Sequence, residues 1–360
     1  MFNSHSATRK GGHTVAVFGA TGHTGQFVIT ELLRRGLTPI AIARDEKRLS
    51  ASGFQDRSVE TRVATINSSS SLDQALAGSA AVINCAGPFL DTAVPVLEAA
   101  LRAGIHYLDV TAEQMSALEL FERYATPARD AGIIAVPAMG FYGGLGDMLA
   151  TAAIGDWTEV DEINISIALD SWEPTQGTRL TGKRNTHRRL HVTDGKLAQL
   201  PDPAPTASWQ FPEPFGIQEI VELPFTETVL IPRHVQVSAL HSYLNLTPLR
   251  DLRDSSTPPP TPSDDTGRSA QIFMVDVVVR KGTETRRVIA QGRDIYAFTA
   301  PLVVEATLRI LGGEAEERGV LAPGSMFDAL NFLQSLAPSH LTFDVISAGD
   351  PRSAVLGHQL

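Results

Sequence analysis

The chain has 360 residues, 43% of them hydrophobic, enough to fill more than one core and to make two or three domains. Forty acidic against thirty basic residues leave a net charge of −10, which excludes a general binder of nucleic acid or acidic membranes. A single cysteine, Cys85, excludes a disulfide framework and any cysteine-rich metal site, and no apolar run approaches the roughly 20 residues of a membrane span.

Residues 1–13 are polar, without the apolar core of a signal peptide, and read as a disordered tail; with the lone thiol they set the expectation of a soluble, cytoplasmic protein. Thr14-Val15-Ala16-Val17-Phe18 is an apolar strand ending in a glycine-rich turn. A helix follows over 24–35, with Phe27, Val28, Leu32 and Leu33 near helical spacing and Gly36 placed to cap its end. Strands are expected at 39–43, 59–66 and 81–85, then a helix at 93–103, a strand at 107–110, a helix at 117–131 and a strand at 133–137. Apolar strands alternating with amphipathic helices predict an α/β unit over 14–147, a doubly wound parallel sheet covered on both faces. Beyond Asp147 strands dominate, at 162–169, 219–223, 235–240, 271–280 and 285–291. They predict an inserted second α+β domain over 148–299, built on a mostly antiparallel sheet, with a mobile proline-rich loop at 254–266. Helices at 300–311, behind Thr299 as N-cap with Pro301 in the first turn, and at 326–336, behind Ser325, are expected to return to the first domain over 300–360.

Gly19-Ala20-Thr21-Gly22-His23-Thr24-Gly25 stands between the first strand and the first helix. Three glycines there let backbone approach a pyrophosphate, whose charge meets free N–H groups and the helix dipole; this is a Rossmann-type dinucleotide site. The ribose reader belongs at the end of the second strand, where Arg44 stands 19 residues past Gly25, with Lys47 and Arg48 one turn behind. A guanidinium there holds a 2′-phosphate, which places NADP ahead of NAD. A one-residue shift of the strand end would put Asp45 in the reading position instead. Cofactor contacts are also expected after the fourth strand, at Cys85, Ala86, Gly87, Pro88 and Phe89, because ligands in such sheets bind at the carboxyl ends of strands. Asp109, Thr111 and Glu113 alternate along an extended segment and offer acid–base groups, or Thr111 caps the next helix.

Gly19 to Gly25, Val82-Ile83-Asn84-Cys85-Ala86-Gly87-Pro88-Phe89, Tyr107-Leu108-Asp109-Val110-Thr111-Ala112-Glu113 and Gly292-Arg293-Asp294-Ile295-Tyr296 together resemble the saccharopine dehydrogenase-like reductases. The resemblance implies a Rossmann domain, an inserted substrate and dimerisation domain, a homodimer, and NAD(P)-dependent hydride transfer to imines or, in some relatives, to carrier-linked enoyl groups. Many relatives continue after the sixth strand as Gly-Phe-Asp-Ser-x-Pro-Ser-Asp, whereas this chain has Gly140-Phe141-Tyr142-Gly143-Gly144-Leu145-Gly146-Asp147. Tyr142 in place of the first acid is either a proton donor or an aromatic pocket wall.

Arg179, Lys183, Arg184, Arg188 and Arg189 cluster with His187 and His191, and no acid occurs from 174 to 193. The island either binds an anionic group of substrate or cofactor or is a solvated face. His187 and His191 stand at metal-ligand spacing, but no nearby Asp, Glu or Cys completes a set, so no metal is expected. No tyrosine is followed four residues on by lysine, and no Gly-x-Ser-x-Gly elbow occurs, which excludes short-chain dehydrogenase and nucleophilic hydrolase chemistry. The sequence thus predicts an NADPH-dependent reductase acting on C=N, activated C=C or C=O in a small or carrier-linked substrate. Tyr142, Lys183 and Glu113 are its candidate catalytic groups, and Thr111, Phe141, Arg184 and His187 its candidate substrate contacts. The competing expectation is a catalytically silent NADP(H)-binding redox sensor.

Overall fold

The structure, a computed structural model, describes residues 12–346; the expected tail up to residue 11 and the last fourteen residues of the C-terminal segment lie outside the described residues. Strands β1 (Thr14–Phe18), β2 (Thr38–Ala43), β3 (Glu60–Val63), β4 (Ala81–Asn84), β5 (His106–Asp109) and β6 (Ile134–Val136) alternate with helices. These are α1 (His23–Arg34), α2 (Glu46–Ser50), α3 (Ser69–Leu76), α4 (Phe89–Ala103) and α5 (Gln114–Asp130). After α6 (Gly146–Ile154) come β7 (Glu159–Leu169), α7 (Gln176–Arg184), β8 (Leu190–Thr193), β9 (Lys196–Gln199), β10 (Thr206–Gln210) and β11 (Ile217–Glu222). The chain continues through α8 (Glu227–Leu230), β12 (Gln236–Asn245), α9 (Leu246–Arg253), β13 (Ile272–Lys281) and β14 (Glu284–Arg293). It ends in α10 (Ile295–Leu311), β15 (Gly319–Val320), α11 (Pro323–Met326), α12 (Ala329–Leu336) and β16 (Leu341–Ile346).

Val15, Ala16 and Val17 in β1 and Ile40, Ala41 and Ile42 in β2 are buried whichever face they point to, as a sheet sandwiched between helices requires. That sheet is wholly parallel, in the order β15-β6-β5-β4-β1-β2-β3. Its order reverses between β1 and β4, and the crevice at that switch point is where the glycine turn and the 85–89 loop face each other. The second sheet runs β10-β11-β12-β7-β13-β14-β16, with β8 against β12 and β9 against β8. Its described pairs are antiparallel except β12 with β7.

Past residue 294 the chain serves both sheets: α10 packs on α1, β15 extends the parallel sheet beside β6, and β16 pairs with β14. The helix expected from residue 300 starts at Ile295, because Asp294 is its cap. The Asp294 carboxylate accepts from the N–H groups of Tyr296 and Ala297, each at 3.0 Å, and from Ser269 at 2.7 Å. Thr299, the expected cap, lies inside the helix with its hydroxyl on the Ile295 carbonyl, and Pro301 follows within the helix. The helix expected over 326–336 is two pieces, and Asp328, not Ser325, caps the second by accepting from Asn331 N. The 254–266 loop has neither helix nor strand; Ser263 N donates to Arg268 O at 2.7 Å, and Arg179 donates to the carbonyls of Asp254 and Thr257.

Asp294→Ala leaves three N–H groups without their acceptor at the junction of the two sheets. We expect a loss of about 2 kcal/mol, read as a lower urea midpoint with an unchanged slope.

Candidate active site

β1 runs into Gly19, whose φ of 84° turns the chain, and the N–H groups of Gly19 and Ala20 both donate to the Ile42 carbonyl. A Cβ on Gly25 would clash with the Gly19 carbonyl, so glycine is what lets α1 start this close to β1. Gly22 precedes α1 without any side-chain cap, and the first turn holds no acid, which leaves its N–H groups for an incoming anion. The His23 Nε2 is buried with no hydrogen-bond partner. These features fit a dinucleotide pyrophosphate against Gly19, Ala20, Thr21, Gly22, His23, Thr24 and Gly25. At the end of β2, Arg44 is exposed, while Asp45 is occupied as the cap of α2, accepting from Arg48 N at 3.1 Å. The Arg48 guanidinium donates to the Thr21 carbonyl at 3.1 Å, which brings a second cation to the turn.

Across the crevice the 85–89 loop is held by carboxylates. Glu113 accepts from Phe89 N at 2.7 Å and Leu90 N at 3.1 Å, so it caps α4 with both oxygens, and burial raises its pKa against those two bonds. Thr111 accepts from Glu113 N, and its carbonyl accepts from Thr226 Oγ1. Asp109 is fully buried; it accepts from Thr111 N, Ala138 N and the Tyr107 hydroxyl, at 3.0, 2.8 and 2.8 Å. Burial pushes its carboxyl up to about 6 in spite of those three donors. Cys85 donates its N–H to Phe18 O, and burial beside Asp109 pushes its thiol far up, so it is unreactive.

Between β6 and α6 the backbone leaves helical geometry at Tyr142 and takes φ 117° at Gly143, where any side chain would strike Thr226 Oγ1. Thr226 donates to the Tyr142 carbonyl at 2.9 Å and fixes that excursion. The Tyr142 ring stacks on Phe225, centroids 4.0 Å apart, and lies 5.5 Å from Trp172. Its hydroxyl is buried without a partner among the described residues, and desolvation pushes its pKa well above the usual phenol range. Trp172 Nε1 donates to the Tyr296 hydroxyl at 2.8 Å, and Tyr296 stands edge-on to His23 at 5.5 Å. On the other side the Arg189 guanidinium sits 4.6 Å above Phe225 and donates to Pro224 O. A continuous aromatic wall therefore leads from the glycine turn to a cation.

The expected contacts distribute unevenly around this chamber. Phe141 packs on Phe273 and Phe298 in the core behind Tyr142, with its N–H on Thr299 Oγ1. α7 carries Arg179, Lys183 and Arg184 of the basic island beside the 85–89 loop: a Cβ on Gly87 would fall 2.8 Å from Thr181 Oγ1, and Arg184 pairs with Asp91 of α4 at 2.9 Å. Lys183 and His187 are exposed on and after that helix. Trp172, Phe225 and Thr226 complete the site from positions that carry no local motif, beside Arg48 from just past the end of the second strand and Arg189 from the basic island. Tyr296 lay within a quoted segment without a role.

Comparison with known proteins places this geometry. The family model of the saccharopine dehydrogenase NADP binding domain matches residues 15–136. The saccharopine dehydrogenase-like oxidoreductases of Homo sapiens and Bos taurus are 29% and 28% identical over 154 and 153 residues, 38% of this chain in each case. The match spans only 36% of the length of either relative. Apo saccharopine dehydrogenase (L-Glu forming) from Saccharomyces cerevisiae shares the fold across 93% of this chain and 100% of that one, with a TM-score of 0.63 at 14% identity. The cytoplasmic expectation is overturned: a relative in Arabidopsis thaliana, 28% identical over 144 residues (36% of this chain, 32% of its own length), is named a probable mitochondrial saccharopine dehydrogenase-like oxidoreductase. A lone cysteine indicates a thiol that stays reduced, not one compartment. No helix among the described residues is long and apolar enough to cross a membrane.

Asp109→Ala strands two backbone N–H groups and a phenol in the core and is expected to cost about 3 kcal/mol in urea unfolding. Because the native carboxyl sits near 6, above its ordinary range, the folded state binds the proton more tightly between about pH 4 and 6. Its contribution to stability therefore falls as pH rises through that window, and the variant's stability profile should lack that downward component.

Proposed function

We propose that the chain, whose residues 15–136 match the family model of the saccharopine dehydrogenase NADP binding domain, is an NADPH-dependent reductase acting on a C=N, activated C=C or C=O bond in a small or carrier-linked substrate. The observation that carries this reading is the buried, unpaired Tyr142 hydroxyl in an aromatic wall that links to the glycine turn through Trp172, Tyr296 and His23. When bound, the cofactor supplies a hydride, and everything else falls to the chain. The first turn of α1 receives the pyrophosphate, and Arg44 with Lys47 and Arg48 receives the 2′-phosphate that distinguishes NADP from NAD. Ala86, Gly87 and Pro88, held by Glu113, back the nicotinamide half, so Glu113 positions rather than exchanges protons. Tyr142 holds the proton for the substrate atom that gains charge as hydride arrives.

Arg189, set over Phe225 beside that hydroxyl, favours a substrate bearing an anionic group. Lys183, Arg184 and His187 add positive potential at the entrance, and Thr111 shapes its floor through backbone contacts. A silent redox sensor would leave the unpaired phenol without a use. The homodimer remains part of the proposal on the family resemblance alone.

Arg44→Ala should weaken NADPH binding about 10- to 100-fold, the worth of a charge-assisted bond, and change NADH binding little. Side-by-side fluorescence titrations test this, and an equal loss for both cofactors removes the 2′-phosphate assignment. Tyr142→Phe should lower kcat about 100-fold while sparing NADPH affinity. An unchanged turnover makes Tyr142 a wall, and no substrate-dependent NADPH oxidation with imines, enoyl thioesters or ketones favours the sensor.

A further inference from the structure

Behind the chamber wall lies a cluster that the proposed reduction does not use. One edge of β12 is shared by two short strands set end to end: β11 pairs with it as far as Glu222 opposite Tyr243, and β8 pairs at Val192 opposite Leu240. At their junction His191 of β8, Glu222 of β11 and His241 of β12 converge. Glu222 Oε1 lies 2.9 Å from His191 Nδ1 and 2.8 Å from His241 Nδ1, and the potential ligand atoms are all within 4.8 Å of one another. The side chains of Glu222, His191 and His241 are 1, 10 and 21% exposed, so the cluster is closed toward the protein and reached from solvent past His241. The second acid of the neighbourhood, Glu162 on β7, adds negative potential at His241 while paired with Arg280 at 2.9 Å.

Two imidazoles and a carboxylate are the donor set of borderline divalent cations; Mg²⁺ and Ca²⁺ prefer oxygen alone. A tetrahedral Zn²⁺ with bonds of 2.0–2.1 Å separates its ligand atoms by roughly 3.3 Å. The two nitrogen-to-carboxylate distances are a few tenths of an ångström shorter and the ligand atoms all lie within 4.8 Å of one another, so side-chain torsions have to open the former. We propose that His191, Glu222 and His241 form a structural site for a zinc-type divalent cation that pins β8, β11 and β12 together. The ion takes the place of the protons shared between each Nδ1 and Oε1; these move to Nε2 or leave to solvent, and a water fills the fourth position. Arg189 stands two residues before His191 and Phe225 three after Glu222, so the ion braces the two residues that face Tyr142. The sequence pointed to His187 as partner of His191, but His187 is exposed outside the cluster, and the carboxylate arrives from 31 residues downstream by strand pairing.

The test titrates Zn²⁺ into chelator-treated full-length protein by calorimetry, with Co²⁺ as the spectroscopic probe. We expect one equivalent bound, intense visible absorption of tetrahedral Co²⁺, and a melting temperature that rises with added Zn²⁺. Glu222→Gln and His241→Ala should each weaken binding at least about 100-fold and abolish the thermal response, whereas His187→Ala leaves both unchanged. Far-UV circular dichroism of the metal-free variants establishes that they fold; if one does not, the wild-type Co²⁺ spectrum still decides. Binding equal in all variants, no stoichiometric binding at micromolar Zn²⁺, or a Co²⁺ spectrum of hexa-aqua type overturns the proposal.

Discussion

Two carboxylates withdrawn from water at the carboxyl edge of the parallel sheet hold the site together. Burial of such a group costs several kilocalories unless donors meet it, and here the donors are the loops that have to be positioned. Asp109 takes one N–H from the loop after β5 and one from the loop after β6, and Glu113 takes two from the start of α4. Three strand ends are thereby fixed relative to one another by two buried acceptors. This is why these acids, which alternate along the chain as catalytic groups would, are engaged in holding backbone.

That loop is where the parallel sheet hands over to the second domain. Gly143 takes a conformation closed to other residues, Thr226 holds the Tyr142 carbonyl, and Phe225 receives the ring. The unpaired hydroxyl is affordable only because three aromatic faces surround it; stacking and burial of those rings offset the roughly 1–3 kcal/mol of an unmet polar group.

The parallel half was legible because its signals are local. Strand, glycine turn and helix follow one another within a dozen residues, and the match of residues 15–136 covers the same stretch. Arg44 and Asp45 show how fine the margin is: adjacent residues of opposite charge were separated only by Asp45 serving as the cap of α2. The start of α10 went astray because Thr299 followed by Ala300 and Pro301 copies a helix start, while the working cap, Asp294, stands at the end of a strand. Of the aromatic wall and the His191 cluster, only Tyr142 and His191 themselves stood out in the sequence; their neighbours did not. Residues 142, 172, 225 and 296 meet by tertiary packing, and the spacing of His191, Glu222 and His241 is set by how β8 and β11 share one edge of β12.

α10 explains why the two halves act as one site. Its capped start lies against the second sheet through Ser269, its body packs on α1, and within its first five residues it delivers Tyr296 to His23 and Thr299 to the Phe141 N–H. The helix thus touches the nucleotide turn at one residue and the Tyr142 loop at another, three positions apart and on one face. A rigid element in that position fixes the distance between the glycine turn and the Tyr142 loop more firmly than any loop could, since helix geometry sets it.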